Sequence, residues 1–143
     1  MHQTSNEVLS ASTLTGDTVR NTKGEDLGKI EELMIDVDRG RIAYAVLSFG
    51  GFLGMGDKLF AIPWEVLTID FDEHEFVLDV DKDLLKNAPG FDKNHWPRMA
   101  DRQWAQGIYD YYGHRPYWED EEPVASREYQ KRPRTSSESK ISR

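Results

Sequence analysis

The side chains able to do chemistry are numerous in this chain, but their spacing matches no catalytic or metal-binding pattern. His2, His74, His95 and His114 stand far apart, and none has a partner at a recognised ligand offset. Cysteine is absent, which removes thiolate nucleophiles, disulfides and Cys-ligated zinc or iron–sulfur centres together. No Gly-x-Ser-x-Gly elbow occurs. Asp36-Val37-Asp38-Arg39-Gly40 resembles the start of a calcium loop. Its glycine comes one position early, however, and Leu47 stands where the closing bidentate glutamate belongs. Acidic pairs such as Glu31-Glu32 are the solvated face expected of an acidic chain. No catalytic, cofactor or metal site is expected, and the chain reads as a non-enzyme.

Two stretches are chemically distinctive in another way. Gly50-Gly51-Phe52-Leu53-Gly54-Met55-Gly56-Asp57 is glycine-rich, as a phosphate-binding loop is. Its spacing fits neither nucleotide fingerprint, Asp57 adds negative charge, and a strand follows instead of a helix. A wide turn is the expectation, with Phe52, Leu53 and Met55 either packing locally or meeting a partner. Between residues 91 and 118 stand Phe91, Trp96, Trp104, Tyr109, Tyr111, Tyr112, Tyr117 and Trp118, half of the chain's aromatic residues. So much apolar area is normally buried. The stretch is read as an extension strapped over the rest of the fold. Trp96, Trp104, Tyr117 and Trp118 are candidate protein contacts, and Trp64 with Trp96 are candidate walls of a small-molecule pocket beneath the strap.

The elements that must position these residues are mostly strands. Asp17–Arg20, Leu27–Val37, Arg41–Phe49, Lys58–Trp64, Leu67–Phe71 and Glu75–Val80 read as six short strands, with turns at Asn21–Gly24, Asp38–Gly40 and Asp72–His74. Arg41–Phe49 is apolar nearly throughout, and Pro63 confines its strand to an edge or an end. A short helix after Asp81 or Asp83 holds Leu84, Leu85 and Ala88. A second, from Asp101 to Tyr112, puts Trp104, Ile108 and Tyr111 or Tyr112 at helical spacing before Gly113 stops it. The predicted fold is mainly β: a small six-stranded barrel with a short C-terminal helical extension. Residues 1–8 are read as a flexible N-terminus, 9–90 as the barrel, 91–118 as the packed extension and 119–143 as a disordered charged tail.

Composition agrees with this division. The 143 residues carry a net charge of −8, with 38% hydrophobic and 31% charged residues. Soluble domains average roughly 45–50% apolar and about 25% charged residues. Residues 119–143 hold six acids and six bases, so the whole −8 falls on residues 1–118. That balance opposes general nucleic-acid binding and adsorption on anionic membranes. No secretory signal and no membrane span is legible, so a cytoplasmic location is expected.

Gly24-Glu25-Asp26-Leu27-Gly28-Lys29-Ile30, then Ile35–Ile42, then Ala45-Val46-Leu47-Ser48-Phe49-Gly50-Gly51, resembles the PRC-barrel family. Phe60-Ala61-Ile62-Pro63-Trp64-Glu65 is similar to the family's later strand ending in proline. Asn87–Trp96 and Tyr111–Glu119 look like the C-terminal extension of a bacterial subgroup. The resemblance implies a compact six-stranded barrel with no shared catalytic residues. It also implies kinship with a photosynthetic reaction-centre subunit, a ribosome maturation factor and small stand-alone, stress-related proteins. Neither the membrane helix of the first nor the extra N-terminal domain of the second is read in these residues, so neither role is the expectation. The function expected is contact between proteins, as a homodimer or with an unidentified partner. Alternatives are a small-molecule-binding barrel and an RNA- or ribosome-associated factor, the last motivated also by Lys131-Arg132-Pro133-Arg134.

Overall fold

The computed structural model describes residues 7–50 and 57–124. Outside the described residues lie Phe52, Leu53 and Met55, most of the expected N-terminal segment, and the charged tail from residue 125 onward.

A single helical turn, α1 (Ala11–Leu14), opens the described chain, and the Ser10 hydroxyl caps it by accepting the Thr13 amide. Six strands follow: β1 (Thr18–Arg20), β2 (Asp26–Asp36), β3 (Arg41–Gly50), β4 (Asp57–Pro63), β5 (Leu67–Asp70) and β6 (Glu75–Leu78). They form one curled sheet in the order β4-β3-β2-β1-β6-β5. Every neighbouring pair is antiparallel except β1 with β6. Pro63 ends β4 at the sheet edge, where its missing amide costs no ladder bond. Asn21 fastens the β1–β2 turn. Its side-chain oxygen accepts the amides of Lys23 and Glu25, and its amide group donates to Val80 O at 3.1 Å.

The imperfect alternation of residues 27–37 has a structural cause. The β2–β3 register shifts between Ile30 and Glu32 and again between Met34 and Ile35. Each shift re-phases the strand, so Ile30 and Leu33 both face the core despite their odd spacing. Ile35 and Val37, beyond the second shift, are exposed instead. Gly28 sits where the backbone of β2 passes close against that of β3. A Cβ there would lie 2.0 Å from the Ser48 carbonyl oxygen, and its φ is +120°.

The concave side of the sheet holds Val19, Leu27, Ile30, Leu47, Phe60, Ile62, Phe76 and Leu78, all fully buried. α2 (Lys82–Lys86) adds Leu85 to this core. β3 is apolar on both faces because both are covered. Ala45, Leu47 and Phe49 face the core, while Tyr44 packs in a second cluster with Ala61 and the C-terminal aromatics. The chain reaches that outer face through Phe91, whose amide and carbonyl pair with those of Leu59 at 2.8 Å. α3 (Arg102–Tyr112) then lies over β3 and β4. Asp101 caps its first turn by accepting two amides, and Gly113 ends it at φ +69°.

Candidate functional site

The turn at residues 37–40 places Asp36 directly across from Arg41. The short 3₁₀ turn after Pro63 (Trp64–Val66) carries Glu65 to the same end of the sheet. α3 brings Tyr109 there. After Gly113 the chain reverses, and a second 3₁₀ turn (Tyr117–Glu119) brings Tyr117 and Trp118. The result is a polar clasp between sheet and extension. Arg41 donates to Glu65 at 2.8 Å and to Glu121 at 2.5 Å, with its guanidinium 4.0 Å above the Tyr117 ring. Tyr109 donates its hydroxyl to the other Glu65 oxygen at 3.2 Å. Tyr117 donates to Asp36, which also accepts the Arg39 amide at 3.0 Å. Arg39 in turn donates to the Glu121 carbonyl at 2.8 Å, and Val124 donates to the Asp38 carbonyl at 2.9 Å.

Protonation follows from these contacts. Burial, reinforced by Glu65, pushes the Tyr109 hydroxyl well above its ordinary value, and burial with the Asp36 hydrogen bond does the same to Tyr117. Both therefore remain donors. Burial alone would raise the Asp36 carboxyl, but the Tyr117 hydroxyl and the Arg39 amide and charge outweigh it and hold it low. Asp36, Arg41, Glu65, Tyr109 and Tyr117 are thus engaged with one another, which is the chemistry of attachment.

Beside the clasp lies a cavity of about 240 Å³ between the β2–β3 hairpin and the start of α3. Met34, Tyr44, Met99, Arg102, Tyr117 and Trp118 are among its walls. Trp118 stands edge-on to Tyr109 and Tyr117, each at 5.5 Å, and the Arg102 guanidinium lies 4.1 Å from its ring centre. A second recess, of about 300 Å³, separates α1 from the β5–β6 hairpin; its rim includes Asp17, Asp70, Asp72 and His74. Among the described residues no group of three histidine or acidic side chains is placed to hold a metal ion.

Of the aromatic residues singled out from sequence, Phe91, Trp104, Tyr109, Tyr112, Tyr117 and Trp118 gather in the cluster on the outer face of the sheet, and Trp64 and Trp96 lie outside it. Trp104 packs edge-on to Tyr44 at 5.5 Å, Tyr117 is buried, and Trp118 is half-buried. Trp96 leans on Phe91 at 5.1 Å and remains 40% exposed. Trp64 packs against Phe76 at 6.0 Å on the core side of the sheet. The cavity beneath the extension is therefore walled by Tyr44, Tyr117 and Trp118, with Trp64 and Trp96 elsewhere. Sequence reasoning overlooked Arg41, Glu65 and Tyr44. The facing of Asp36 and Arg41 across a tight turn was a usable signal for the first; nothing local marks the other two.

A family model described as PRC-barrel domain matches residues 6–85. The chain belongs to the PRC-barrel family. The curled six-stranded sheet is that fold, and the aromatic extension lies beyond the matched span. No curated protein matches this PRC-barrel chain. Among solved structures, it is similar to a Pseudomonas aeruginosa protein named as a 16S ribosomal RNA processing protein. Their identity is 23% and the TM-score 0.37, over 52% of this chain and 45% of that one. The match thus spans less than half of that protein's length. No helix among the described residues is long and apolar enough to cross a membrane.

Proposed function

We propose that this PRC-barrel chain is a non-catalytic, cytoplasmic module that works by protein–protein contact, as a homodimer and in the manner of an adaptor or stress-related protein. The observation that carries this reading is the clasp. The densest polar constellation is spent on holding residues 91–124 against the barrel, and its tyrosines are locked as donors. Several apolar side chains do face outward, Trp96 among them, with Ile35 and Val37 at 54% and 65% exposure. The contact loop of the proposal, with Phe52, Leu53 and Met55, joins β3 to β4 beyond their last paired residues, Gly50 and Asp57. The net charge of −8 keeps such a module soluble and disfavours a polyanionic partner.

Sedimentation of the full chain over a range of concentrations tests the proposal. A dimer is expected, weakened by the double change Phe52→Ser and Leu53→Ser with the barrel's circular dichroism unchanged. A strict monomer throughout overturns the homodimer, and undiminished association in the variant removes the loop from the contact. RNA retained at low salt and released at high salt would favour the ribosome-associated alternative.

A further inference from the structure

We propose that the cavity between the β2–β3 hairpin and the first turn of α3 is a binding site for a small aromatic carboxylate. Two unspent polar groups on its wall carry the inference. Tyr44 is only 2% exposed, and among the described residues its hydroxyl has no hydrogen-bond partner. A buried hydroxyl in that condition is unfavourable, and native structures rarely leave one so unless a ligand or water completes it. Arg102 opens α3 on the same wall. Its guanidinium lies over the face of Trp118 at 4.1 Å, and it makes no ion pair among the described residues. The two groups act on one another: the Arg102 charge reaches the Tyr44 hydroxyl, against burial and the Glu65 charge, which act in the opposite sense.

The remaining walls select the rest of the ligand. Tyr117 and Trp118 offer flat apolar surface, and Met34 and Met99 offer side chains that adapt to an inserted ring. A volume of about 240 Å³ exceeds the ~150 Å³ that accepts benzene and falls short of a drug-sized pocket. A single guanidinium suits a planar monoanion, which it binds through two parallel hydrogen bonds. Asp36, on the same wall, is already engaged by Tyr117 and Arg39. Asp38 is exposed at the rim, where water and salt screen it. In this arrangement the carboxylate meets Arg102, accepts a hydrogen bond from the Tyr44 hydroxyl and leaves its ring between Trp118 and the methionines. The proposal stands independently of the homodimer.

The test is a titration of the full chain with benzoate and, separately, with uncharged benzyl alcohol. Tryptophan fluorescence and saturation-transfer NMR are the readouts. Saturable benzoate binding is expected, at least about tenfold tighter than benzyl alcohol. Arg102→Met should weaken it about tenfold or more, and Tyr44→Phe several-fold, since the phenyl ring keeps the wall intact. Arg102 is exposed, so Arg102→Met should keep the wild-type melting temperature and lose only affinity. Absence of saturable benzoate binding up to about 10 mM overturns the site, because that limit is weaker than any specific pocket requires. Equal binding of benzyl alcohol, or full benzoate affinity in both variants, overturns the assigned roles of Arg102 and Tyr44.

Discussion

The inside of the curled sheet and the seam beneath the C-terminal extension are both packed, yet they are held by different forces. Inside, Val19, Ile30, Leu47, Phe60, Ile62 and Phe76 present no polar atom beyond the backbone, and all are almost inaccessible to water. At the seam, apolar Ile108 and Phe91 are joined by side chains with an apolar body and a polar tip, Tyr44, Tyr109 and Tyr117, with Arg41 and Glu65 nearby. Burial of area without directional demands stabilises the first region. The second depends also on geometry and charge, with the Tyr109 and Tyr117 hydroxyls held by Glu65 and Asp36. The lesson is that the barrel core sets the fold, while the seam sets an attachment that pH or a single substitution can loosen.

The largest expected effect tests the core side of that contrast. Phe60→Ala should cost about 3–5 kcal/mol and unfold barrel and extension together. The loss should be nearly the same from about pH 5 to 9, since the fully buried members of that cluster are apolar. The Lys58 ammonium over the Phe60 ring stays charged across that range. Separate melting of the two regions in this variant would mean the core does not govern both.

Arg41→Met comes next, at about 2 kcal/mol, because it strands half-buried Glu65 and releases the exposed Glu121 from the clasp. Here the extension should loosen first. Trp104 and Trp118 fluorescence should shift to the red while far-ultraviolet circular dichroism still reports the sheet. A uniform loss of both signals would make the seam part of one cooperative unit.

The pair of Asp36 and Tyr117 gives a smaller and pH-dependent effect. Tyr117→Phe should cost about 1–2 kcal/mol at neutral pH, as removal of a hydrogen bond to a charged group does. The Asp36 carboxyl is held below its ordinary value, so the folded state favours its charged form. Its contribution is complete above the unfolded value of about 3.9 and is lost as pH falls through the lower folded value. Melting curves of the wild type and Asp36→Asn should therefore differ at pH 7 and converge in strong acid. The raised tyrosines work at the other end. Their protonated forms stabilise the seam below about pH 10, and that support is lost as pH rises beyond it.

Asp101→Ala removes the cap of α3 and should cost about 1 kcal/mol, read as lost helical signal and a lower melting temperature. Similar in size on stability is Trp96→Ser, at about 1 kcal/mol, because the ring is 40% exposed yet leans on Phe91. Its expected effect is on association, and sedimentation checks it. A large stability loss would instead place Trp96 structurally inside the seam.

Much of the sheet was legible because its signals are local. Asn21–Gly24, Asp38–Gly40 and Asp72–His74 mark turns within a few residues, and the β3 run declares itself by composition. α1 was missed because a four-residue turn leaves too short a pattern to read. The phase of β2 was not legible for a related reason. Ile35 and Val37 alternate properly with Leu33, but register shifts reset which face is inward, and only the partner strand β3 fixes those shifts. The candidate site was less legible still. Trp64 stood out by its size, yet the walls of the cavity were assembled from β2, β3, the first turn of α3 and the 3₁₀ turn at Tyr117.

By itself, then, the chain's order of residues determined six strands, their turns, a capped helix after Asp101 and a family resemblance that the matched span of residues 6–85 bears out. These follow from hydrophobic period, turn chemistry and capping, all of which act over a few neighbouring residues. The tertiary structure alone decided that Arg41 meets Glu65 from 24 residues away and that Tyr117 meets Asp36 from 81. It also decided that Tyr44 and Arg102 share one cavity. Such pairings depend on how a curled sheet and a returning extension meet in space. No local pattern encodes that distance, so only the packed fold reveals it.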